Sequence, residues 1–156
     1  MRRKDREVTD DGTIDEIIRS AHCLRLGLVD NGIAYIVPMS FGFENREGKR
    51  IFYFHSAKEG RKLDLLRSCA RVSFELDTKY CLQTAQTACG YTAKFQSVMG
   101  TGKAFFILSA EEKKQALTLL MRHYSDKEDL PFSAEALEKV TVFRLEAEEI
   151  SCKWHR

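Results

Sequence analysis

IFYFHSAKEGRKLDLL, residues 51–66, changes character twice along its length. Ile51–Phe54 is apolar and aromatic, the composition of a strand. His55-Ser56 then offers an imidazole and a hydroxyl, and Gly60 interrupts the pattern. Arg61-Lys62 leads into Leu63, Leu65 and Leu66 of a helix expected over Lys58–Ser68. A strand that hands polar groups and two cations to a helix start prepares a place for an anion, above all a phosphate. The first helical amides have no partner inside the helix and can turn to such a ligand. The competing reading is a solvated basic turn.

Working upstream, Cys23–Val29 alternates, with Leu24, Leu26 and Leu28 on one face. Asp30-Asn31-Gly32 is a hairpin turn, since Asn-Gly accepts positive φ at both central positions. Ile33–Phe43 is the return strand, Glu44–Lys49 a second polar turn with Gly48, and Arg50–Phe54 a third strand. Pro38 lies inside the return strand. Proline cannot donate to a ladder, so it marks an edge or a bulge, or a backbone in which Met39 and Ser40 face a planar heterocycle. Further back, residues 1–12 read as a flexible arm. Thr13-Ile-Asp-Glu16 reads as a capping box opening a short helix to about Ala21, with Ile14, Ile17 and Ile18 on its apolar face.

Downstream, Arg71–Leu76 alternates as a strand and Asp77–Thr92 reads as a long loop. Lys94–Leu108 is strand-like, and Gly100 and Gly102 imply a bulge or sharp bend. Ser109-Ala-Glu-Glu112 is a second capping box, opening an amphipathic helix to about Tyr124. A short helix over Ser133–Glu138 and a last strand over Val140–Ile150 follow. Six mostly hairpin-connected strands with interspersed helices make a mainly β, α+β chain. A small antiparallel sheet of this kind tends to close into a barrel, which removes its edges.

The length of 156 residues suits one domain, and 44% hydrophobic with 31% charged residues is a globular balance. A net charge of +2 gives no global field for nucleic acid. No segment approaches a membrane span and the basic start is not followed by an apolar run, so a cytoplasmic protein is expected. Five cysteines without a C-x-x-C pair fit free thiols, and no metal-ligand spacing stands out. There is no P-loop, no G-x-S-x-G elbow and no G-x-G-x-x-G fingerprint. His123 reads as a charge partner for a helix C-terminus. Trp154, the single tryptophan, reads as a core or dimer anchor or as a partner for a flat ring.

CLRLGLVDNGIAYIVPMSFGFE, IFYFHSAKEGRKLDLLRSCARVSFEL and FQSVMGTGKA, in that order and spacing, resemble the FMN-binding split barrel family of pyridoxamine 5′-phosphate oxidase. The likeness is greatest to its nitroimidazole-resistance (Nim-like) branch. The resemblance implies a six-stranded antiparallel barrel, paired as a homodimer with FMN in a cleft between subunits. It would place Val37, Pro38, Met39 and Ser40 against the flavin ring. His55, Ser56, Arg61 and Lys62 would serve the ribityl and phosphate groups, while Gln96 and Ser97 come from a later strand and Trp154 closes the site. His55 matches a histidine common in the Nim-like branch, which implies a redox or proton-transfer role. Pro38 and Met39 stand where the oxidase branch has a basic residue and a lysine, and its C-terminal substrate motif is missing. The activity implied is therefore flavin-dependent reduction of nitro-type or similar small molecules, with NAD(P)H or a protein as electron donor. FAD is an alternative to FMN, because a phosphate turn serves both. A non-catalytic flavin or haem carrier is the alternative function.

Overall fold

Two tight turns start the sheet. Asn31 and Gly32 have φ of 51° and 81°, and Glu47 and Gly48 have φ of 52° and 89°. These conformations match the natural twist of paired strands, so each turn fixes a register. The first joins β2 (Leu24–Asp30) to β3 (Ile33–Met39), with Asp30 opposite Ile33. The second joins β4 (Gly42–Arg46) to β5 (Lys49–Ala57), with Arg46 opposite Lys49.

The computed structural model describes residues 3–127 and 130–156. A short strand β1 (Glu7–Val8) precedes α1 (Asp11–Ser20). After β5 come α2 (Arg61–Ser68), β6 (Arg71–Gln83), β7 (Thr92–Ile107), α3 (Ala110–Tyr124), α4 (Ala134–Lys139) and β8 (Val140–His155). All pairings are antiparallel, in the order β3-β2-β6-β7-β8-β5-β4, with β1 added to β8. The strands at the two ends of this order, β3 and β4, are joined only by Ser40 and Phe41. So short a link forces the sheet to curl until its edges meet at one end while staying open at the other. The result is a split barrel rather than a flat sheet.

Inside the barrel, Leu24, Leu26, Phe52, Phe54, Leu76, Val98, Phe143 and Leu145 are fully or almost fully buried, with α1 adding Ile17 and Ile18. A second cluster lies outside it, where α3 covers Ile51, Tyr53 and Val142 with Ala116 and Leu117. Strand β5 is therefore buried on both faces, which is why its sequence is continuously apolar rather than alternating. Gly42 is required where α3 crosses, because a Cβ there would lie 2.5 Å from the Leu120 amide nitrogen. Arg50 ties α1 to β5: its Nε donates to Asp15 (2.6 Å) and its Nη2 to Asp11 (2.8 Å). Asn45 donates to the second Asp15 oxygen at 2.7 Å.

Several sequence expectations change. Among the described residues there are eight strands rather than six, because β1 is added and the expected Ile33–Phe43 strand breaks at Ser40–Phe41. The Tyr124 hydroxyl accepts from the Phe41 amide at 3.0 Å and holds the chain out of the ladder there. Residues Glu7 and Val8, expected in a flexible arm, pair with Lys153 and Cys152. The cap of α1 is Asp10, not Thr13: the Asp10 carboxylate accepts from the Thr13 amide (2.8 Å) and hydroxyl (2.7 Å). The Ser109 cap forms as expected. Half of the expected 77–92 loop is strand, since β6 runs on to Gln83 and β7 begins at Thr92, with a bulge between Thr78 and Cys81; the remainder is loop with one 3-10 turn at Ala88–Gly90. The Gly-x-Gly segment carries the expected bulge, between Thr101 and Gly102.

Candidate functional site

Strand β5 leaves its double cover at His55. Alternation along the strand puts Phe52, Phe54 and Ser56 toward the barrel interior and Ile51, Tyr53 and His55 outward. His55 is exposed on the outer face, whereas Ser56 is buried. Ala57–Gly60 then turns the chain into α2. Gly60 sits just before the helix with φ of 139°, a conformation that side-chain-bearing residues rarely adopt. Its carbonyl accepts from Leu63 (2.8 Å) and Asp64 (3.3 Å). The amides of Arg61 and Lys62, one turn earlier, have no acceptor within the helix and point out of its positive end.

The two cations differ. Arg61 is engaged: its Nε lies 2.6 Å from Asp30, and its guanidinium stacks 4.5 Å from the centre of the Tyr35 ring. It clamps α2 onto the β2–β3 hairpin. Lys62 has no carboxylate partner among the described residues, and its Nζ approaches only the Met39 sulfur, at 3.6 Å. A thioether is a weak acceptor, so this ammonium is half-buried with its charge unmatched.

Met39 is buried at the end of β3, beside half-buried Val37, while Pro38 and Ser40 are exposed. Pro38 stands on an edge strand, where its missing N–H costs nothing on the open side. Tyr124 fixes the link after Met39 from above, donating to the His22 carbonyl (3.0 Å) while accepting from Phe41. His123 beside it is not the solvated helix-end cation expected from sequence. It packs 4.3 Å from the Phe41 ring and bonds the Ala21 carbonyl at 2.7 Å. Burial, offset in part by that bond, pulls its pKa below the ordinary value.

Gln96, Ser97 and Trp154 form a separate group. Gln96 is opposite Thr78 on one side and Trp154 on the other. It is 2% exposed, and its side-chain oxygen has no hydrogen-bond partner. Such a buried, unpaired acceptor is rare in a finished core and suits a site that a ligand donor completes. Trp154 is half-buried with Arg156 stacked 4.6 Å from its ring. Across the sheet, Met39 is opposite Leu24, the β2–β6 register continues that level to Leu76, and Leu76 is opposite Val98, two residues from Gln96. Three strand spacings, or ~14 Å, therefore separate this group from the Met39 end of the first. Among the described residues, no hydrogen bond, ion pair or ring contact joins the two groups.

The sequence readings did not single out the outer face of β2, β3, β6 and β7. A groove of about 650 Å³ runs there, lined by Arg25, Ile36, Glu75, Met99 and Ser151 among others. Ile36 and Met99 stand exposed in it, with Val29 nearby on the same sheet face. The outward alternation of Val29, Ile36 and Met99 was the available signal.

An antiparallel sheet curled into a split barrel, with a basic helix start beside the end of β3, defines the class of split-barrel folds. Residues 10–154 match the family model for pyridoxamine 5′-phosphate oxidase, and the chain belongs to that family. Among solved structures it resembles a candidate 5-nitroimidazole antibiotic resistance protein from Bacteroides thetaiotaomicron VPI-5482. The identity is 32% over 94% of this chain and 85% of that one, with a TM-score of 0.82. The fold is also that of the flavocytochrome Anf3 from Azotobacter vinelandii, at 24% identity, covering 100% of this chain and 72% of that one, with a TM-score of 0.82. A FAD and heme binding protein from Mycobacterium smegmatis shares it at 16% identity, covering 97% and 74%, with a TM-score of 0.82. No curated protein matches the chain.

Proposed function

We propose that the protein is a flavin-dependent oxidoreductase. It works as a homodimer with FMN between the two copies, and reduces nitroaromatic or similar small molecules. The observation that carries this reading is the cradle at Gly60–Lys62. It combines two unpartnered helical amides and a half-buried ammonium with no carboxylate partner among the described residues, beside Met39 at the end of β3. Amides and an ammonium suit a phosphate; the end of an edge strand, with Pro38 and Ser40 exposed, suits a flat heterocycle.

Gln96 lies two residues from the level of Met39 and three strand spacings, about 14 Å, across the sheet from it, within reach of the ligand that the cradle holds. The apolar groove with Ile36 and Met99 supplies a surface for pairing of the two copies. The flavin supplies the electron-carrying chemistry, and the protein holds and orients it. Lys62 and the helix amides bind the phosphate, and Gln96 offers an acceptor. His55, exposed on the outer face, is the residue for proton transfer. The cradle would take FAD through its inner phosphate as well. The electron donor is NAD(P)H or a protein partner. The reaction belongs to the cytoplasm; no described helix is long and apolar enough to cross a membrane.

The 32%-identical structure described as a nitroimidazole resistance protein favours the nitro-type substrate. The test is the absorption spectrum of the protein as purified, followed by mass identification of the released cofactor. Flavin bands that bleach under NAD(P)H without air are expected. A colourless protein that takes up no FMN or FAD refutes the proposal, and a Soret band would put a haem carrier in its place.

A further inference from the structure

Tyr124 stands where a rung of the β2–β3 ladder should be. The register that runs from Asp30–Ile33 to Leu24–Met39 continues in step to Cys23–Ser40 and then to His22–Phe41. Opposed residues of an antiparallel pair exchange both hydrogen bonds at every second position. Pro38, opposite Arg25, has no N–H to give, so the bonded positions of β3 are Ile33, Tyr35, Val37 and Met39. Phe41 is the next in that series, and its natural acceptor is the His22 carbonyl. Instead, the Phe41 amide donates to the Tyr124 hydroxyl at 3.0 Å, and that hydroxyl donates to the His22 carbonyl, also at 3.0 Å. A direct rung spans about 2.9 Å. Two legs of 3.0 Å spread the same groups wider, so β2 and β3 are parted by one hydroxyl where the chain leaves Ser40.

The whole end of α3 builds this placement. Gly42 admits the helix backbone at Leu120, just beyond the parted rung. His123 bonds the Ala21 carbonyl at 2.7 Å and packs 4.3 Å from the Phe41 ring. The last two residues of the helix thus address both chains of the rung, Ala21–His22 on one side and Phe41 on the other. The rung lies two residues past Met39, whose sulfur Lys62 approaches at 3.6 Å. We propose that Tyr124 is a positioning residue of the flavin cleft: its hydroxyl, spliced into the last rung between β2 and β3, holds Met39–Ser40 in the one place from which that segment meets the flavin ring. The inference rests on the proposed flavin reading. It adds a residue eighty-three positions from Phe41 in sequence, which acts through Phe41 and His22 rather than on the ligand.

Tyr124→Phe gives the test. It keeps the ring and deletes the hydroxyl, so the rung stays parted and the Phe41 amide is left without its acceptor. Nuclear magnetic resonance of the apoprotein should show that amide exchanging about five- to tenfold faster than in the native protein. Titration with FMN and with riboflavin, far below the unfolding midpoint, should show both dissociation constants raised by the same factor, about five- to tenfold. The loss lies at the ring end, which the two ligands share. The absorption maxima of the bound flavin should shift as well. A merely structural role would lower the unfolding midpoint while both constants and the maxima stay in place, and that result overturns the proposal. A penalty for FMN with none for riboflavin overturns it too, since the effect would then lie at the phosphate; either result leaves the flavin reading intact. A native protein that takes up neither flavin overturns that reading and the proposal together.

Discussion

Replacing Lys62 and Arg61 separately divides the proposed phosphate cradle in a way that replacing the pair together cannot. The two are neighbours in sequence, yet only Lys62 is free to meet an anion. Its Nζ has the Met39 sulfur at 3.6 Å, while Arg61 is already held by Asp30 and stacked on Tyr35. A charge-assisted contact is worth about 1.5–3 kcal/mol, so Lys62→Ala should weaken FMN binding about 10- to 150-fold. Arg61→Ala removes a half-exposed ion pair, and its effect on affinity should stay below about 1 kcal/mol, or roughly fivefold. Its effect should appear instead in the stability of α2 against the β2–β3 hairpin. The assay is fluorescence titration of the apoprotein with FMN and, in parallel, with riboflavin, which lacks the phosphate. The Lys62→Ala penalty should vanish with riboflavin. An equal penalty for both ligands, or a larger loss from Arg61→Ala than from Lys62→Ala, would refute the assignment of the cradle.

Gln96→Leu removes a buried acceptor that has no donor, so it should stabilise the apoprotein by about 1 kcal/mol in urea unfolding while weakening flavin binding; a destabilised apoprotein would count against the ligand role. Arg50→Met leaves Asp15 buried without its cation and should cost about 3–5 kcal/mol by chemical denaturation, most of it recovered in Asp15→Leu/Arg50→Met. Burial holds His123 neutral, with its folded pKa below the ordinary value, so the unfolded chain takes up the proton first as pH falls. Stability should therefore decline from about pH 6.5 downward, toward the folded pKa, and His123→Gln should flatten that decline; parallel pH profiles for the two proteins would exclude it.

What could be read directly from the sequence was local. Asn31-Gly32 and Glu47-Gly48 fix turns through their own φ angles, and Ser109 caps α3 through a neighbour three residues on. The helix start was legible only in part: the helix expected from Lys58 begins at Arg61, after Gly60 at φ of 139°. The misreadings came from contacts distant in sequence. Ile33–Phe43 looks like one strand until α3 crosses Gly42 and Tyr124 takes the Phe41 amide. Thr13 and Asp10 both fit a cap, and the Asp10 carboxylate prevails because it accepts two bonds from Thr13. The 77–92 segment hid two strand ends, since a ribbon with neither face in the core leaves no alternation to read. Arg61 and Lys62 looked equivalent because the partner of Arg61, Asp30, is thirty-one residues away.

Register sets how far apart the Lys62 cradle and Gln96 lie. Across β2, β6 and β7, the level of Met39 runs through Leu24, Leu76 and Val98 to Cys152 on β8. Around the other side, the link from Met39 into β4 carries the same level to the end of β5, where Ser56 is opposite Thr141 on β8. One level thus meets β8 at two places eleven residues apart, a stagger of roughly 36 Å along the strand. Closing a tilted sheet requires such a stagger. It separates Thr141 from Cys152 along β8, yet it leaves Met39, which Lys62 approaches, at the level of Val98, two residues from Gln96. Three strand spacings, about 14 Å, lie between them. One ligand can therefore reach both the Lys62 cradle and the Gln96 acceptor within a single chain. Gln96→Leu should weaken FMN binding by the same factor in a monomeric variant as in the native protein, and a penalty confined to the native assembly would refute this placement.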